Sequence, residues 1–472
     1  MSSSLWSLDA VTVVELLRRT EVTPVEVLDA IEERVAAIDP LVNALPTRCF
    51  ERARAKLARA KHLQTTPLAG IPIPIKDSYA VAGVRTTFGS LAFEHNVPDG
   101  SDYLVEAIEL AGGTIYAKSN TPEFEAGANT FNEVFGHTLN PWETTRSAAG
   151  SSGGAAVAVA TGMAHIAQGS DFACSLRYPA SFCGVVGLRP TPGLIPQGPS
   201  PLPWQSLSVI GPLARNVADT GLALAAMRRF DPRDPLSRPL ADEDYAAAAR
   251  QPRPPHRFAY SRDLGVACVS AQVGAIVEAA ISKLERAGAE VANAHPDLSR
   301  ADAGFRPLRA FQFAAGRADL IDSPQRQRLK PEVVWNIEEG LRLAVRDLVA
   351  AERERAGTRA SMLAFLDRYE FLISPTAPVE PFSVMDRYVS RIGEVQMETY
   401  LDWMILGYAV SVTGCPAISI PCGFSRHGLP IGLQIIGRPC SEEALLSLAA
   451  WCEAVLGVTL AKPIDPKNST GH

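Results

Sequence analysis

Apolar positions along the chain follow two patterns that alternate through most of its length. Short continuous apolar runs, bounded by glycine, proline or polar residues, predict strands over 71–75, 114–117, 290–294, 418–421 and 431–436. Apolar residues at helical spacing predict helices over 103–111, 154–161, 216–227, 270–287 and 441–455. This alternation is typical of a sheet covered by helices and places the chain in the α/β class.

The first forty residues have the pattern of two helices. Thr23, Pro24 and Glu26 occupy the positions expected of an N-cap, a first helical residue and the partner of a capping box in the second helix. Pro40, directly after Asp39, is predicted to end that helix. Its predicted apolar stripe consists of Val25, Leu28, Ile31 and Val35.

The composition agrees with a large folded chain. At about 150 residues per domain, 472 residues allow one large α/β domain or two medium ones. A hydrophobic content of 47% with 20% charged residues supplies a sizeable core and excludes a disordered or fibrous protein. The 51 acidic and 45 basic residues give a net charge of −6, so nucleic acid is not an expected partner.

The sequence predicts a cytoplasmic protein. Its start lacks a basic segment followed by a continuous apolar core, and no stretch reaches about 18 uninterrupted apolar residues, so neither secretion nor a membrane is expected. The eight cysteines are too sparse for a disulfide scaffold, and no spacing among them resembles a zinc site.

Two turn-rich segments carry serines that can do chemistry. The segment AAGSSGGAA at 148–156 places Ser151 and Ser152 among small residues at a predicted helix start. Taken alone, it is equally typical of a flexible turn or of a loop that binds phosphate through its N–H groups, although it lacks the glycine spacings of nucleotide-binding loops. The segment GSDFACSLRYP at 169–179 contains Ser175, and on its own it is typical of a buried polar turn in which Asp171 caps backbone N–H groups or pairs with Arg177.

A third segment, GIPIPIKD at 70–77, ends an apolar run on Lys76. A lysine buried there would lose its hydration, its pKa would fall, and it could act as a base near neutral pH. The alternative is a lysine whose stem lies along the strand while its ammonium group stays in water. The run alone does not distinguish the two.

Together these segments resemble the amidase signature family of hydrolases. The pattern GSSGG-x(20)-S-x-R, with the upstream KD pair, resembles the family motif over 65–227, and GCPAISIPCGF and GLPIGLQIIGRP resemble its C-terminal strands within 413–455. The resemblance implies a mixed, twisted β-sheet surrounded by α-helices in one domain spanning 1–472. Its expected parts are N-terminal helices over 1–65, a signature core over 66–227, a variable middle over 228–410, and C-terminal strands and a helix over 411–472.

The resemblance further implies a Ser-cisSer-Lys triad that needs neither metal nor cofactor. It assigns Ser175 as the nucleophile, Ser151 as the bridging serine and Lys76 as the base, with Ser152 as a supporting neighbour. In the family, backbone N–H groups just before and at the nucleophile bind the oxyanion. Here these groups belong to Phe172, Ala173, Cys174 and Ser175.

Ala173 and Cys174 depart from the family pattern, which commonly has two glycines at these positions. Glycine adopts positive φ freely and leaves space, so the two side chains either take ordinary backbone angles or store strain, and they are expected to narrow the pocket. This departure affects the expected substrate range more than the reaction class.

Cys174 is also an alternative nucleophile, because thiolates attack carbonyl carbons well. No histidine lies in the recognised motifs to activate it, and His137 and His165 are interpreted as packed or surface residues. Asp171 and Arg177 are interpreted as an ion pair or hydrogen-bonded frame for the nucleophile, outside the proton transfer.

The predicted function is hydrolysis of C–N bonds in amides or carbamates, with small aryl or apolar substrates. The expected partner is the small-molecule substrate, with a homodimer as a candidate assembly. Two alternatives stay open: a glutaminase subunit of a transamidation complex, and a non-catalytic binding protein on the same scaffold. Aromatic residues at helical spacing are more typical of a core than of a pocket, and the candidates for the pocket are Phe124, Phe131, Phe311, Phe313, Trp335, Tyr400 and Trp403.

Overall fold

A large mixed β-sheet forms the centre of the protein. The computed structural model describes residues 2–239, 241–255 and 257–467. The strands of this part are β1 Thr47–Arg48, β2 Pro72–Lys76, β3 Thr114–Ser119, β4 Phe131–Asn132, β5 Gly136–His137, β6 Ile166–Asp171, β7 Val186–Arg189, β8 Val209–Ala214, β9 Arg257–Tyr260, β10 Glu290–Asn293, β11 Phe371–Pro375, β12 Arg391–Ile392, β13 Val395–Gln396, β14 Ala417–Phe424 and β15 Pro430–Ile436.

Helices flank this sheet. Their bounds are α1 Ala10–Arg18, α2 Pro24–Val42, α3 Phe50–Arg59, α4 Tyr103–Leu110, α5 Gly153–Ala160, α6 Arg177–Cys183, α7 Val217–Met227, α8 Tyr245–Ala248, α9 Ala271–Arg286, α10 Ala301–Ile321, α11 Pro331–Arg342, α12 Val345–Leu366, α13 Ile405–Ser411 and α14 Glu442–Leu456. None of the helices in the described ranges is both long and apolar enough to cross a bilayer.

Eight strands form the large sheet, in the order β10-β9-β11-β15-β14-β7-β8-β6. The first three run parallel to one another, and the pairs from β11 to β6 are antiparallel. Strands from the C-terminal part of the chain therefore lie between strands from its middle and its first half. The predicted α/β class and mixed sheet are confirmed.

A smaller sheet, in the order β1-β3-β2, carries the lysine of the third segment. Strand β2 pairs in parallel with β3 and ends at Lys76, opposite Ser119. Ile73 and Ile75 are completely buried on either side of a proline, so the apolar run is an interior strand. It lies against β6 of the large sheet, where Lys76 N donates to Gln168 Oε1 at 2.9 Å.

Helix α5, which follows the first serine segment, is buried along its whole length. Its sequence GGAAVAVA permits this, because small side chains let the helix approach neighbouring backbone. A Cβ atom at Gly154 would lie 2.4 Å from the backbone N of Asn120 and 2.6 Å from the carbonyl oxygen of Ala44. The glycine therefore fixes how closely α5 packs and where its preceding loop lies.

The predicted elements occur with bounds that shift by at most three residues. The prediction for the end of α2 is wrong: the helix passes through Pro40, at the cost of the hydrogen bond that an N–H there would donate to the preceding turn, and ends where Asn43 takes a left-handed conformation. The interpretation of Val25 is also wrong. It is 43% exposed, because the buried face of α2 includes Val27 and is rotated away from it.

Candidate active site

Lys76 lies at the centre of a buried polar cluster. Its side chain has no exposed surface. The Nζ atom lies 2.6 Å from Ser151 Oγ, 2.9 Å from Ser170 Oγ and 2.5 Å from Glu125 Oε1. We refer to these four residues as the base cluster. The interpretation of Lys76 as a snorkelling residue is therefore wrong, because its ammonium group faces the interior.

The loop before α5 connects the base cluster to Ser175. The Gly150–Ser151 peptide bond is cis, as the resemblance implies. Ser152 N donates to the carbonyl oxygen of Ser175 at 3.2 Å, and Ser152 Oγ lies 3.2 Å from both the N and the O of Ser170. The structure thus brings the three segments together, with Ser152 as the residue that joins two of them.

The backbone of residues 172–175, which we refer to as the nucleophile turn, presents unused donors. The turn lies between the end of β6 and the start of α6. In the described part of the chain, no acceptor receives a hydrogen bond from the N–H groups of these four residues. Ser175 itself is 6% exposed. Free N–H groups beside a nearly buried serine can bind a negative oxygen that develops next to it.

A buried ionic frame holds the nucleophile turn. Arg177 Nη2 lies 3.0 Å from Asp171 Oδ1 and donates to the carbonyl oxygen of Ala173 at 2.7 Å. Arg189 Nη1 lies 3.2 Å from the same carboxylate oxygen. Burial acts to raise the pKa of Asp171, but the two guanidinium groups outweigh it and lower the pKa to about 2. The structure thus pairs Asp171 with Arg177, and Arg189 is an addition that the sequence reasoning did not include.

Cys174 belongs to the nucleophile turn, and its side chain packs into the interior of the protein. It is completely buried, and a Cβ atom added at Gly407 of α13 would lie 2.5 Å from the Cys174 Cβ atom. Burial raises the pKa of its thiol well above the ordinary value, which keeps it protonated and disfavours it as a nucleophile. Ala173 and Cys174 both have negative φ, so they take ordinary backbone angles. The Cys174 side chain fills interior space and does not narrow the pocket.

Glu125 is a member of the base cluster that the sequence reasoning missed. Its Oε1 atom contacts Lys76 and also accepts a hydrogen bond from Ser170 Oγ at 2.5 Å. Its backbone has φ +62°, and that of Phe124 has φ +46°, a conformation that costs energy in residues with a side chain. This strained turn directs the carboxylate toward the lysine.

The charges of the base cluster are coupled. Burial lowers the pKa of Lys76, and the Glu125 carboxylate opposes that shift. Burial acts to raise the pKa of Glu125, but the charge of Lys76 and the hydrogen bonds from Lys76 and Ser170 outweigh it, so the pKa of Glu125 falls below its usual value. Lys76 therefore gives up its proton more readily than an exposed lysine, by an amount that Glu125 controls.

A cavity of about 550 Å³ adjoins both the base cluster and the nucleophile turn. Glu125 of the base cluster and Phe172 of the turn belong to its wall. Much of the remaining wall is aromatic or cationic, and it includes Phe88, Phe93, Phe124, Phe313, Arg309 and Arg317. The site therefore has an apolar recess with a few charged groups next to the serine.

Of the predicted pocket aromatics, Phe124 and Phe313 line this cavity. The others serve elsewhere: Phe131 stacks on His137, Phe311 lines a neighbouring cavity of about 310 Å³, Trp335 packs edge-on against Tyr400, and Trp403 packs against Tyr178. His165 is also packed, since it is buried and its Nε2 lies 3.0 Å from Leu5 O. Across the described ranges, no group of three or more His, Cys, Asp or Glu side chains is arranged to hold a metal ion.

Comparison with known proteins gives matches over nearly the whole chain. A sequence model of the Amidase family matches residues 26–446. An acylamidase from Rhodococcus erythropolis is 34% identical over 467 residues, which cover 97% of each chain. A glutamyl-tRNA(Gln) amidotransferase subunit from Moorella thermoacetica is 34% identical over 484 residues, 94% of this chain and 96% of that one. A solved structure of a bacterial aryl acylamidase has the same fold, with a TM-score of 0.89 at 24% identity over 96% of each chain.

Proposed function

The chain belongs to the amidase signature family of hydrolases, and from this premise we propose that it hydrolyses linear amides or carbamates through an acyl-enzyme on Ser175. The observation that carries this proposal is the contact between buried Lys76 and Ser151, with Ser175 joined to the same loop through Ser152. The contact of Lys76 Nζ with Ser151 Oγ at 2.6 Å supports the first proton transfer, and the transfer between Ser175 and Ser151 is part of the proposal.

In the proposed mechanism, neutral Lys76 accepts a proton from Ser151, and Ser151 accepts one from Ser175 as its Oγ attacks the carbonyl carbon. The new C–O bond converts the carbonyl oxygen into an oxyanion, which the free N–H groups of the nucleophile turn bind. Collapse of this intermediate breaks the C–N bond, and Ser151 returns a proton to the departing amine. Water, deprotonated by the same relay, then releases the acid and restores Ser175.

Glu125 has a positioning role in this scheme. It bonds to Lys76 and Ser170, and it stabilises the protonated form of the base. A protonated lysine cannot accept a proton, so Glu125 sets the pH above which the relay operates.

The proposed substrates are small aryl or apolar compounds. The phenylalanines of the cavity offer apolar surface beside the nucleophile turn, and the Rhodococcus relative is named as an acylamidase. Carbamates are included because attack at their carbonyl carbon also releases an amine, leaving an alkoxycarbonyl group on the serine. Equal turnover of aliphatic and aryl substrates with the same leaving group would contradict the aryl preference.

The proposal is tested with 4-nitroacetanilide and with ethyl N-(4-nitrophenyl)carbamate, both of which release 4-nitroaniline when the C–N bond breaks. We expect Ser175→Ala, Ser151→Ala and Lys76→Ala each to abolish turnover, while Cys174→Ala, a matched change at the adjacent residue, retains it. Loss of activity in Cys174→Ala with retention in Ser175→Ala would favour the thiol. A folded parent protein that binds these compounds without hydrolysing them would favour the non-catalytic binding protein.

A second candidate function is that of a glutaminase subunit in a transamidation complex. It is supported by the similarity to the glutamyl-tRNA(Gln) amidotransferase subunit of Moorella thermoacetica. Assays of the purified chain distinguish this function from amide hydrolysis by the chain alone. If the chain is a glutaminase subunit, glutamine is its best substrate and co-expressed partner chains are needed for the full rate. If the chain is an acylamidase, it turns over aryl amides at the full rate without partner chains.

We also propose a cytoplasmic location and keep the homodimer as a prediction. The location is supported by the eight cysteines, all of which are free thiols in the structure. Light scattering coupled to size-exclusion chromatography tests the dimer.

A further inference from the structure

Three residues of α10 face the cavity beside the candidate active site. Arg309, Phe313 and Arg317 are four residues apart, which puts them on one face of the helix, and all three line the cavity. Glu125 of the base cluster and Phe172 of the nucleophile turn line it as well. A ligand in this cavity therefore contacts α10, Glu125 and Phe172 at the same time.

Arg309 is a buried cation without a counter-ion. It is 3% exposed. Among the described residues, only Tyr400 Oη accepts a hydrogen bond from it, at 3.0 Å, and its buried Nε has no acceptor. Its guanidinium carbon lies 5.0 Å from the ring centre of Phe172 and 4.7 Å from that of Phe313. Aromatic faces attract a cation but do not replace a hydrogen-bonding anion, so the burial of this group is incompletely compensated.

Arg317 adds a second positive charge. Its guanidinium carbon lies 4.6 Å from the ring centre of Phe124. Burial lowers its pKa to about 10, which leaves it charged at neutral pH. Within the described ranges, neither Arg309 nor Arg317 has a carboxylate oxygen within 4.0 Å. Two acidic side chains, Glu125 and Asp319, also line the cavity. The charge of Glu125 acts on Arg317, but its Oε1 is bound to Lys76 and Ser170.

Resting on the proposed amide hydrolysis, we propose that the substrate carries a carboxylate that Arg309 and Arg317 bind, while its apolar part lies among the phenylalanines of the cavity. A carboxylate accepts two parallel N–H bonds from a guanidinium group, and it supplies a negative partner to Arg309, for which the described residues provide only the Tyr400 hydroxyl. Glu125 and Asp319, which also line the cavity, repel a phosphate dianion more strongly than a single negative charge.

Two matched substrate pairs test this proposal. On the acyl side, the mono-4-nitroanilide of adipic acid is compared with hexanoyl 4-nitroanilide. On the amine side, 4-acetamidobenzoate is compared with 4-acetamidotoluene. The wild-type protein is expected to give a kcat/KM about tenfold to a hundredfold higher for the acid in one of the pairs, the range that a charge-assisted hydrogen bond supplies. A preference for the acid in neither pair overturns the proposal.

The arginine variants assign the preference to the site. Arg309→Met and, separately, Arg317→Gln are expected to lower kcat/KM for the favoured acid about tenfold or more, while that of its neutral partner stays within about twofold. Arg342→Met, an exposed arginine of α11, is the control and is expected to change neither. Equal losses for acid and neutral substrate in both arginine variants would mean a structural role and overturn the proposal.

A binding measurement separates this proposal from the proposed function. Calorimetric titration of Ser175→Ala with each pair needs no turnover. If the wild-type protein hydrolyses nothing, the proposed function fails, but tighter binding of the acid that is lost with Arg309→Met still supports the carboxylate site. Equal binding of acid and neutral compound overturns it, whatever the activity.

Discussion

Replacing Glu125 by glutamine tests how the protonation of the proposed base is controlled. The change removes one negative charge at 2.5 Å from Lys76 Nζ while it keeps the size of the side chain. Glu125 opposes the lowering of the Lys76 pKa by burial. Its removal must therefore lower that pKa further, so that the lysine loses its proton at a lower pH.

The size of the shift follows from the distance and the exposure. An opposite charge within about 4–6 Å moves a pKa by about 1–3 units, and Glu125, at 24% exposed, is only partly screened by water. One unit corresponds to about 1.36 kcal/mol. The acidic limb of kcat/KM, which reports the free enzyme, is therefore expected to move down by about 1–3 pH units in Glu125→Gln. The plateau at high pH is expected to fall modestly, because the base is weaker.

The assay is the pH dependence of kcat/KM for an uncharged aryl amide. The matched control is Glu123→Gln, the same chemical change two residues away. Glu123 accepts hydrogen bonds from Ser90 Oγ and Lys330 N, which lie outside the base cluster. The acidic limb of kcat/KM in Glu123→Gln is therefore expected to stay at its wild-type pH. An unshifted limb in Glu125→Gln, or an equal shift in both variants, would refute the reasoning that Glu125 controls the charge of Lys76.

Three further changes test the surroundings of the site by urea denaturation. Asp171→Asn leaves the buried cation of Arg177 uncompensated and is expected to lower the free energy of unfolding by about 3–5 kcal/mol at pH 7. The stabilisation by the Asp171 carboxylate in the wild-type protein is present above about pH 4 and is lost as the pH falls toward 2. A difference in unfolding free energy between the two proteins that stays constant down to pH 2 would contradict this prediction. Gly154→Ala places a Cβ atom 2.4 Å from Asn120 N and is expected to lower the free energy of unfolding by about 1–3 kcal/mol. An unchanged urea midpoint would contradict this, because it would mean that α5 can move away from Asn120 without loss of stability. Burial lowers the pKa of His165 to about 4, so the unfolded chain binds its proton first, and the wild-type protein is expected to lose up to about 3 kcal/mol between pH 6.5 and 4 relative to His165→Asn. Parallel pH profiles of these two proteins would contradict the last prediction.

The three residues proposed as a triad could be identified from the sequence because they lie in short segments with a distinctive order along the chain. The burial of the elements next to these segments also follows from local pattern, because β2 is an apolar run and α5 consists of small and apolar residues. Ser170 could have been found by the same reasoning. In β6, Gln168 and Ser170 alternate with small or apolar residues, so both point to one face of a buried strand, and both contact Lys76.

Glu125, Arg309 and Arg317 could not be predicted from local pattern. Glu125 reaches Lys76 through two consecutive residues with positive φ, a conformation that the sequence does not favour. The spacing of the two arginines shows only that they share a helix face. Which face meets the cavity depends on the packing of α10 against elements distant in the chain. The end of α2 could not be predicted from local pattern either, because the burial of Val42 and the hydrogen bond from Asn43 N to Asp39 O continue the helix past Pro40.

The central claim is that Ser175 is a nucleophile activated by Lys76. Its most direct test is peptide mass spectrometry after treatment with a serine-directed fluorophosphonate, applied to the wild-type protein and to folded Lys76→Ala. We predict a single adduct on Ser175 in the wild-type protein and its loss in the variant, because the hydroxyl is not reactive without the base. An adduct on Cys174, or none on Ser175 in the folded wild-type protein, would contradict the account.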